Sequence, residues 1–123
     1  MKKIFFVIGI VLLSVIFSFP AFSQSGNSLL DEGIKQYQEE NLEEAIETLT
    51  KARAADQTSS MAAFVLGMAH KRTNDLPNAE KNLKDAVALT PKIKEAYVEL
   101  IDVLYQQNKL DEAGQYLATA ESE

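Results

Sequence analysis

Four polar residues near the middle of the chain have the types and spacing that chemistry requires. His70, Lys71 and Arg72 are consecutive, and Asp75 follows three residues after Arg72. An imidazole, two cations and a carboxylate are the components of a general-base or anion-binding site. They are equally typical of a helix end, where a half-buried histidine pairs with an acceptor and an aspartate caps the next helix. The elements that carry these residues decide between the two interpretations.

The rest of the sequence offers no second group that would complete an active site. His70 is the only histidine and there is no cysteine, which excludes a two-histidine metal site, a zinc-thiolate site and a thiol nucleophile. No glycine-rich phosphate loop or Gly-x-Ser-x-Gly motif is present. The paired acids Glu43-Glu44 and Asp111-Glu112 fall at predicted helix N-termini, where carboxylates stabilise the helix dipole. We therefore predict that the protein is not an enzyme and uses no metal or other cofactor.

The first 23 residues have the order of a secretory signal peptide. Two lysines precede an apolar run over residues 4–17, and Ala21-Phe22-Ser23 ends the segment with small residues at the cleavage positions. We expect cleavage after Ser23, export to the periplasm or the medium, and a bacterial source. The alternative is an uncleaved inner-membrane anchor over residues 4–22, about the length of a short spanning helix.

The charge of the remaining chain, residues 24–123, limits its partners. Removing Lys2 and Lys3 with the leader leaves ten basic and eighteen acidic residues, a net charge of −8. Phosphate backbones repel such a chain, so we expect no nucleic-acid partner. Without cysteines for disulfides, a domain of this size must be stabilised by packing alone.

The chain matches itself when it is shifted by 34 residues. Four positions are identical in all three copies: Leu42, Leu76 and Leu110; Ala45, Ala79 and Ala113; Leu49, Leu83 and Leu117; Ala52, Ala86 and Ala120. Within each copy these residues recur every three or four positions, which is the spacing of a helical stripe. A second stripe precedes each one, and the short polar segments QEEN, RTND and QQNK separate the two. Each copy is therefore predicted to be helix–turn–helix, with a capping pair of Asn41 and Glu44 at one helix start.

These residues give the chain its resemblance to tetratricopeptide repeat proteins. The positions that match the family's pattern are Gly33, Ala45, Leu49 and Ala52, then Leu66, Gly67, Ala79, Leu83, Ala86 and Pro91, then Tyr97, Leu100, Ala113, Leu117 and Ala120. The resemblance implies an all-α, right-handed solenoid of three helix–turn–helix repeats, at about residues 26–59, 60–93 and 94–123. Ile101 departs from the family at a position where a small residue is usual. His70 takes the place of a packing aromatic, so we predict a structural role for it.

The resemblance also implies a concave groove for a partner. The family's groove positions correspond here to Leu30, Ile34, Tyr37, Met61, Phe64, Met68, Lys71, Arg72, Val98, Asp102 and Tyr105. The apolar members suit a peptide or helix, and the two cations would suit an acidic group in it. Two alternatives stay open: some of these side chains pack between repeats, and the two cations are solvated or paired with nearby acids. The clamp by which relatives hold acidic chaperone C-termini is not matched, because its positions hold Leu30, Ile34, Met68, Glu95 and Glu99.

The sequence therefore predicts a non-enzymatic interaction module of the bacterial cell envelope. It would bind a peptide or protein of unknown identity in the groove and would take no small-molecule substrate. The alternative is a structural protein that forms a homodimer through its last helix, where Ala113, Tyr116 and Leu117 have no following helix to cover them. Gly114 on the same helix would allow a second copy to approach closely.

Overall fold

The computed structural model describes residues 25–123, with side chains from residue 28 onward, so the predicted leader lies outside the described residues. Six α-helices follow one another: α1 Ser25–Gln38, α2 Leu42–Ala55, α3 Ser60–Arg72, α4 Leu76–Ala88, α5 Lys94–Gln106 and α6 Leu110–Ser122. This part of the chain contains no strand. The predicted all-helical class and helix–turn–helix packing are confirmed. Within residues 25–123, no helix has the length and apolar character needed to span a membrane.

The helices form two layers. The pairs α1–α2, α3–α4 and α5–α6 are hairpins, and each hairpin packs on the next. The backbones of the first helices α1, α3 and α5 also approach one another in turn, whereas α2, α4 and α6 lie farther apart and meet through long polar side chains. Because the first helices lie closer together than the second helices, the stack bends and its concave face is made by α1, α3 and α5.

The three hairpins turn in the same backbone conformation. Glu40, Asn74 and Asn108, which are 34 residues apart, have positive φ angles of 67°, 61° and 59°. The next residue donates its backbone N–H to a carbonyl five positions back, in the pairs Asn41–Gln36, Asp75–His70 and Lys109–Leu104, at 2.8 to 2.9 Å. This is the Schellman ending of a helix. Asparagine adopts the left-handed conformation readily, while Glu40 adopts it at a cost of about 1 kcal/mol.

The short turns also supply the N-cap residues of the second helices. Asp75 caps α4, accepting the Asn78 backbone N–H at 3.4 Å. Asn41 holds the equivalent place before α2, but its side chain makes no capping hydrogen bond, so the predicted capping pair with Glu44 is wrong. The residue that ends the Schellman turn is also the N-cap. The ψ angles of the two N-caps are similar, 68° at Asn41 and 75° at Asp75, so the backbone does not account for the difference in capping.

Small residues allow the helices to pack closely around the core. Among the positions that match the repeat pattern, Ala120 is half-buried, and Pro91 and Leu117 are exposed. The others are buried: Gly33, Ala45, Leu49, Ala52, Leu66, Gly67, Ala79, Leu83, Ala86, Tyr97, Leu100 and Ala113. One buried cluster, around Leu49 and Leu66, joins the first two hairpins. A larger cluster around Leu83, Leu100 and Leu104 joins the second and third.

Two glycines set the spacing inside the first two hairpins. A Cβ atom on Gly33 would lie 2.6 Å from Cγ of Leu49, and one on Gly67 would lie 2.7 Å from Cγ of Leu83. Both leucines are fully buried against these glycines. In the third hairpin Ile101 stands at the equivalent position, and Leu117, the equivalent of Leu49 and Leu83, is 49% exposed. The third hairpin therefore closes less tightly than the other two.

We expect Gly67→Ala to lower the free energy of unfolding by about 1–3 kcal/mol, because the added methyl group overlaps Leu83. Gly114→Ala is the matched control, because a Cβ there meets nothing within 4 Å. It should raise stability by about 0.5–1 kcal/mol through helix propensity. Urea denaturation of residues 24–123 measures both, and equal stabilisation by the two substitutions would contradict the close contact.

A buried carboxylate ties α4 to the turn between α5 and α6. Glu80 is 7% exposed. Its oxygens accept hydrogen bonds from Lys84 at 2.6 Å, Lys109 at 2.7 Å and Gln107 at 2.8 Å. Burial acts to raise the pKa of Glu80, but the hydrogen bonds from Lys109, Lys84 and Gln107 outweigh it and lower the pKa from 4.5 to about 2.

Because the folded-state pKa of Glu80 is below its unfolded value, the ionised group stabilises the fold above about pH 4.5, and this contribution is lost as the pH falls towards 2. We expect Glu80→Gln to cost roughly 2 kcal/mol at pH 7 and to flatten the fall in stability between about pH 5 and pH 2. Glu121→Gln, which removes an exposed carboxylate, should do neither. Denaturation at a series of pH values tests this, and parallel curves for Glu80→Gln and the wild type would refute it.

Candidate partner-binding groove

The concave face carries the row of residues that the sequence assigned to a groove, but their exposure is uneven. On α1, Leu30, Ile34 and Tyr37 are half-buried, as are Phe64 and Met68 on α3. Three other apolar members are open to solvent: Met61 is 42% exposed, Val98 66% and Tyr105 67%. The accessible apolar surface of the groove is therefore greatest along α5.

Part of the predicted row belongs to the core. Leu30, Ile34 and Tyr37 pack against the cluster around Leu49, and Phe64 contacts both clusters. These four residues therefore follow one of the two alternatives left open by the sequence, because their side chains pack between repeats. The apolar side chains of the groove that offer most surface to a partner are Met61, Val98 and Tyr105, and Met68 is half-buried.

Lys71, at the centre of the concave face, is held between two carboxylates of α5. Its Nζ lies 2.5 Å from Oε2 of Glu99 and 2.6 Å from Oδ2 of Asp102. Burial acts to lower the pKa of Lys71, but the hydrogen bonds to Asp102 and Glu99 raise it. The same hydrogen bond from Lys71 is the main cause that lowers the pKa of Asp102. Lys71 and Asp102 are therefore charged at neutral pH, and the ammonium group of Lys71 faces two carboxyl groups.

Arg72 is also engaged, on the other side of α3. Its Nη2 lies 2.7 Å from Oε1 of Glu40, and its guanidinium lies 5.2 Å from the centre of the Tyr37 ring. The ion pair joins the end of α3 to the turn of the first hairpin. Of the two possibilities left open for Lys71 and Arg72, the structure has the one in which both are paired with nearby acids. The sequence could not show these pairs directly, because the partners are 28 to 32 residues apart.

His70 points away from the groove, towards the outer layer. It lines an open polar cleft of about 480 Å³ between α2 and α4, together with Arg53, Asn82 and Asp85. Its Nδ1 is 3.5 Å from Oδ2 of Asp75, which also accepts a hydrogen bond of 2.7 Å from the Asn78 side chain. Burial lowers the pKa of His70, and the nearby charge of Asp75 offsets this only in part. The imidazole is therefore neutral at pH 7 and belongs to the helix end, as the structural interpretation predicted.

A second apolar surface lies at the C-terminal end of the stack, between α5 and α6. It is a cleft of about 370 Å³ lined by Tyr97, Val98, Ile101, Leu117 and Ala120, with Lys92, Lys94 and Glu123 at its rim. Ile101 occupies the position that Gly33 and Gly67 hold in the other two hairpins, where the absence of a side chain lets the two helices pack closely. The departure at Ile101 was visible in the sequence, but the cleft that accompanies it was not predicted.

Comparison with known families agrees with this architecture. The family model described as Tetratricopeptide repeat matches residues 30–81 and 64–123. The chain belongs to the tetratricopeptide repeat family, whose members with solved structures include peptide-binding domains. Among functionally curated proteins, none is significantly similar to this chain in sequence.

Three solved structures illustrate the similarity. The second TPR of Spaghetti (RPAP3), bound to the HSP90 peptide SRMEEVD, is 28% identical, with 79% of this chain and 90% of that chain covered and a TM-score of 0.72. MamA is 27% identical, with 89% of this chain and 62% of that chain covered and a TM-score of 0.75. The Yersinia enterocolitica type III secretion chaperone SycD, in complex with a peptide of the translocator YopD, is 20% identical over 78% and 73% of the two chains. Its TM-score of 0.71 shows a shared fold.

Proposed function

We propose that this protein is a non-enzymatic interaction module that binds a peptide, or an extended segment of a partner protein, on the concave face of α1, α3 and α5. The observation that carries the proposal is the exposed apolar row of Met61, Val98 and Tyr105 on that face. Large apolar side chains this open to water are typical of a binding surface when they lie together. The second TPR of RPAP3 has the same fold and is 28% identical to this chain, and its solved structure contains a bound peptide, which supports the proposal.

We further propose that the module works in the bacterial cell envelope, in the periplasm or outside the cell. The support is the order of residues 1–23, in which a basic start, an apolar run and a small-residue cleavage site follow one another. An uncleaved anchor over residues 4–22 would place the same groove on the outer surface of the inner membrane. N-terminal sequencing of the protein from the envelope fraction distinguishes the two, because the cleaved form begins at Gln24.

The groove is best tested by replacing residues that are exposed and hold nothing else together. Phe64 is part of the packing and Lys71 holds α5, so their replacement would confuse binding with stability. We expect the double substitution Val98→Ala and Tyr105→Ala to weaken partner capture from the envelope fraction at least about tenfold. A few large side chains that become buried when the partner binds, aromatic ones above all, usually supply most of the binding energy of such an interface. The free energy of unfolding should change by less than about 1 kcal/mol.

The control for this experiment is Leu110→Ala, which removes an apolar side chain of similar exposure, 53%, from α6. It should leave capture of the same partner unchanged. If the double substitution binds as well as the wild type, or if Leu110→Ala is equally damaging, the partner does not use the concave face.

Self-association through α6 is the second candidate function. Of the three residues expected to lie uncovered on α6, Ala113 is buried and Tyr116 packs against the core, so only Leu117 is open, at 49% exposure. Leu110, 53% exposed, lies two turns from Leu117 on the same face, and the space beside Gly114 between them is open. Sedimentation at micromolar concentration tests it. A dimer that Leu117→Asp dissociates would support this candidate, and a strict monomer would remove it.

A further inference from the structure

Acidic and apolar side chains alternate along the concave face of α5. Glu95, Val98, Asp102 and Tyr105 are separated by three or four residues, so they form one stripe on this helix. Val98 and Tyr105 are the two most exposed large apolar residues among the described side chains. Asp102 is 47% exposed at its side chain, and Glu95 is exposed as well. A ligand lying along α5 would meet a carboxylate and an apolar side chain in turn.

The cations of the face do not balance these carboxylates. Lys71 faces both Glu99 and Asp102, and Arg72 faces Glu40. Among the described residues, Glu95 is in no ion pair, and neither is Lys94, which lines the terminal cleft together with Val98. With Lys94 counted, three cations stand against four carboxylates, a net charge of −1. Lys71 and Arg72 are also fixed by short contacts to side chains of neighbouring hairpins. An acidic ligand would have to displace one of these carboxylates before it could pair with Lys71 or Arg72.

We propose that the partner segment is cationic, with apolar anchors flanked by lysine or arginine side chains. This inference rests on the proposed binding of a peptide at the concave face. Each apolar anchor would lie against Val98, Tyr105 or Met61, and each cation would approach Glu95 or the Glu99–Asp102 pair. The exposed ring of Tyr105, three residues after Asp102, adds a surface over which an arginine or lysine side chain can stack. Opposite charges of this kind mainly set specificity and the rate of association.

The experiment selects ligands without assuming their sequence. A phage-displayed library of random peptides is panned on residues 24–123, with counter-selection on the double substitution Val98→Ala and Tyr105→Ala. The double variant keeps every carboxylate, so peptides that bind only through net charge are removed. We expect the recovered peptides to combine apolar residues with a net positive charge. Recovery of peptides with a net negative charge would overturn this inference and leave the proposed function intact, whereas no enrichment over the double variant would overturn both.

A charge reversal then tests the carboxylates themselves. The recovered peptides and the acidic peptide SRMEEVD are titrated by fluorescence anisotropy. Glu95→Lys should weaken the cationic peptides by about three- to tenfold, and the loss should shrink as salt is added. Glu44→Lys is the matched control, because Glu44 is also a first-turn acid of its helix but lies in the outer layer. Equal effects of the two reversals, or tighter binding of SRMEEVD than of the cationic peptides to the wild type, would refute the inference.

Discussion

The contact between a glycine on the first helix of a hairpin and a leucine on the second is the constraint on which the rest of the structure depends. Gly33 against Leu49 and Gly67 against Leu83 leave no room for even a methyl group, so these two hairpins close fully. Closed hairpins can stack with α1, α3 and α5 side by side, and that order creates the concave face. Where Ile101 replaces the glycine, Leu117 stays half exposed and a cleft lies between α5 and α6.

Polar pairs between hairpins fix how the closed units stack, and they also decide the charge of the surface. Each interface between hairpins has a pair in both layers: Arg72–Glu40 and Arg53–Asp85 at the first, Lys71–Glu99 and Lys84–Glu112 at the second. Partly buried ion pairs add little to stability on balance, but they can specify one arrangement over others. Here they have a second consequence. The cations that would attract an acidic ligand are already engaged, and the acids of α5 remain in excess.

Local patterns in the sequence were sufficient to predict the helices and their packing into hairpins. The apolar stripes have helical spacing, and they recur every 34 residues with polar turns between them. What the sequence could not show depends on contacts one repeat away. The partners of Lys71 and Arg72 are 28 and 32 residues distant, so the sequence left open whether these cations are solvated or paired, and only the structure shows the ion pairs. The exposure of single groove residues depends on these contacts too, which is why Phe64 and Tyr37 belong to the packing while Val98 and Tyr105 do not.

The most direct measurement is a proton–proton NOE spectrum of residues 24–123 with labelled leucine methyl groups. The account predicts strong NOEs from the Gly67 Hα protons to the methyl groups of Leu83, and from the Gly33 Hα protons to those of Leu49. Backbone shifts typical of six helices without either glycine–leucine NOE would contradict it, because the helices would then be present without the close contact on which the stack depends.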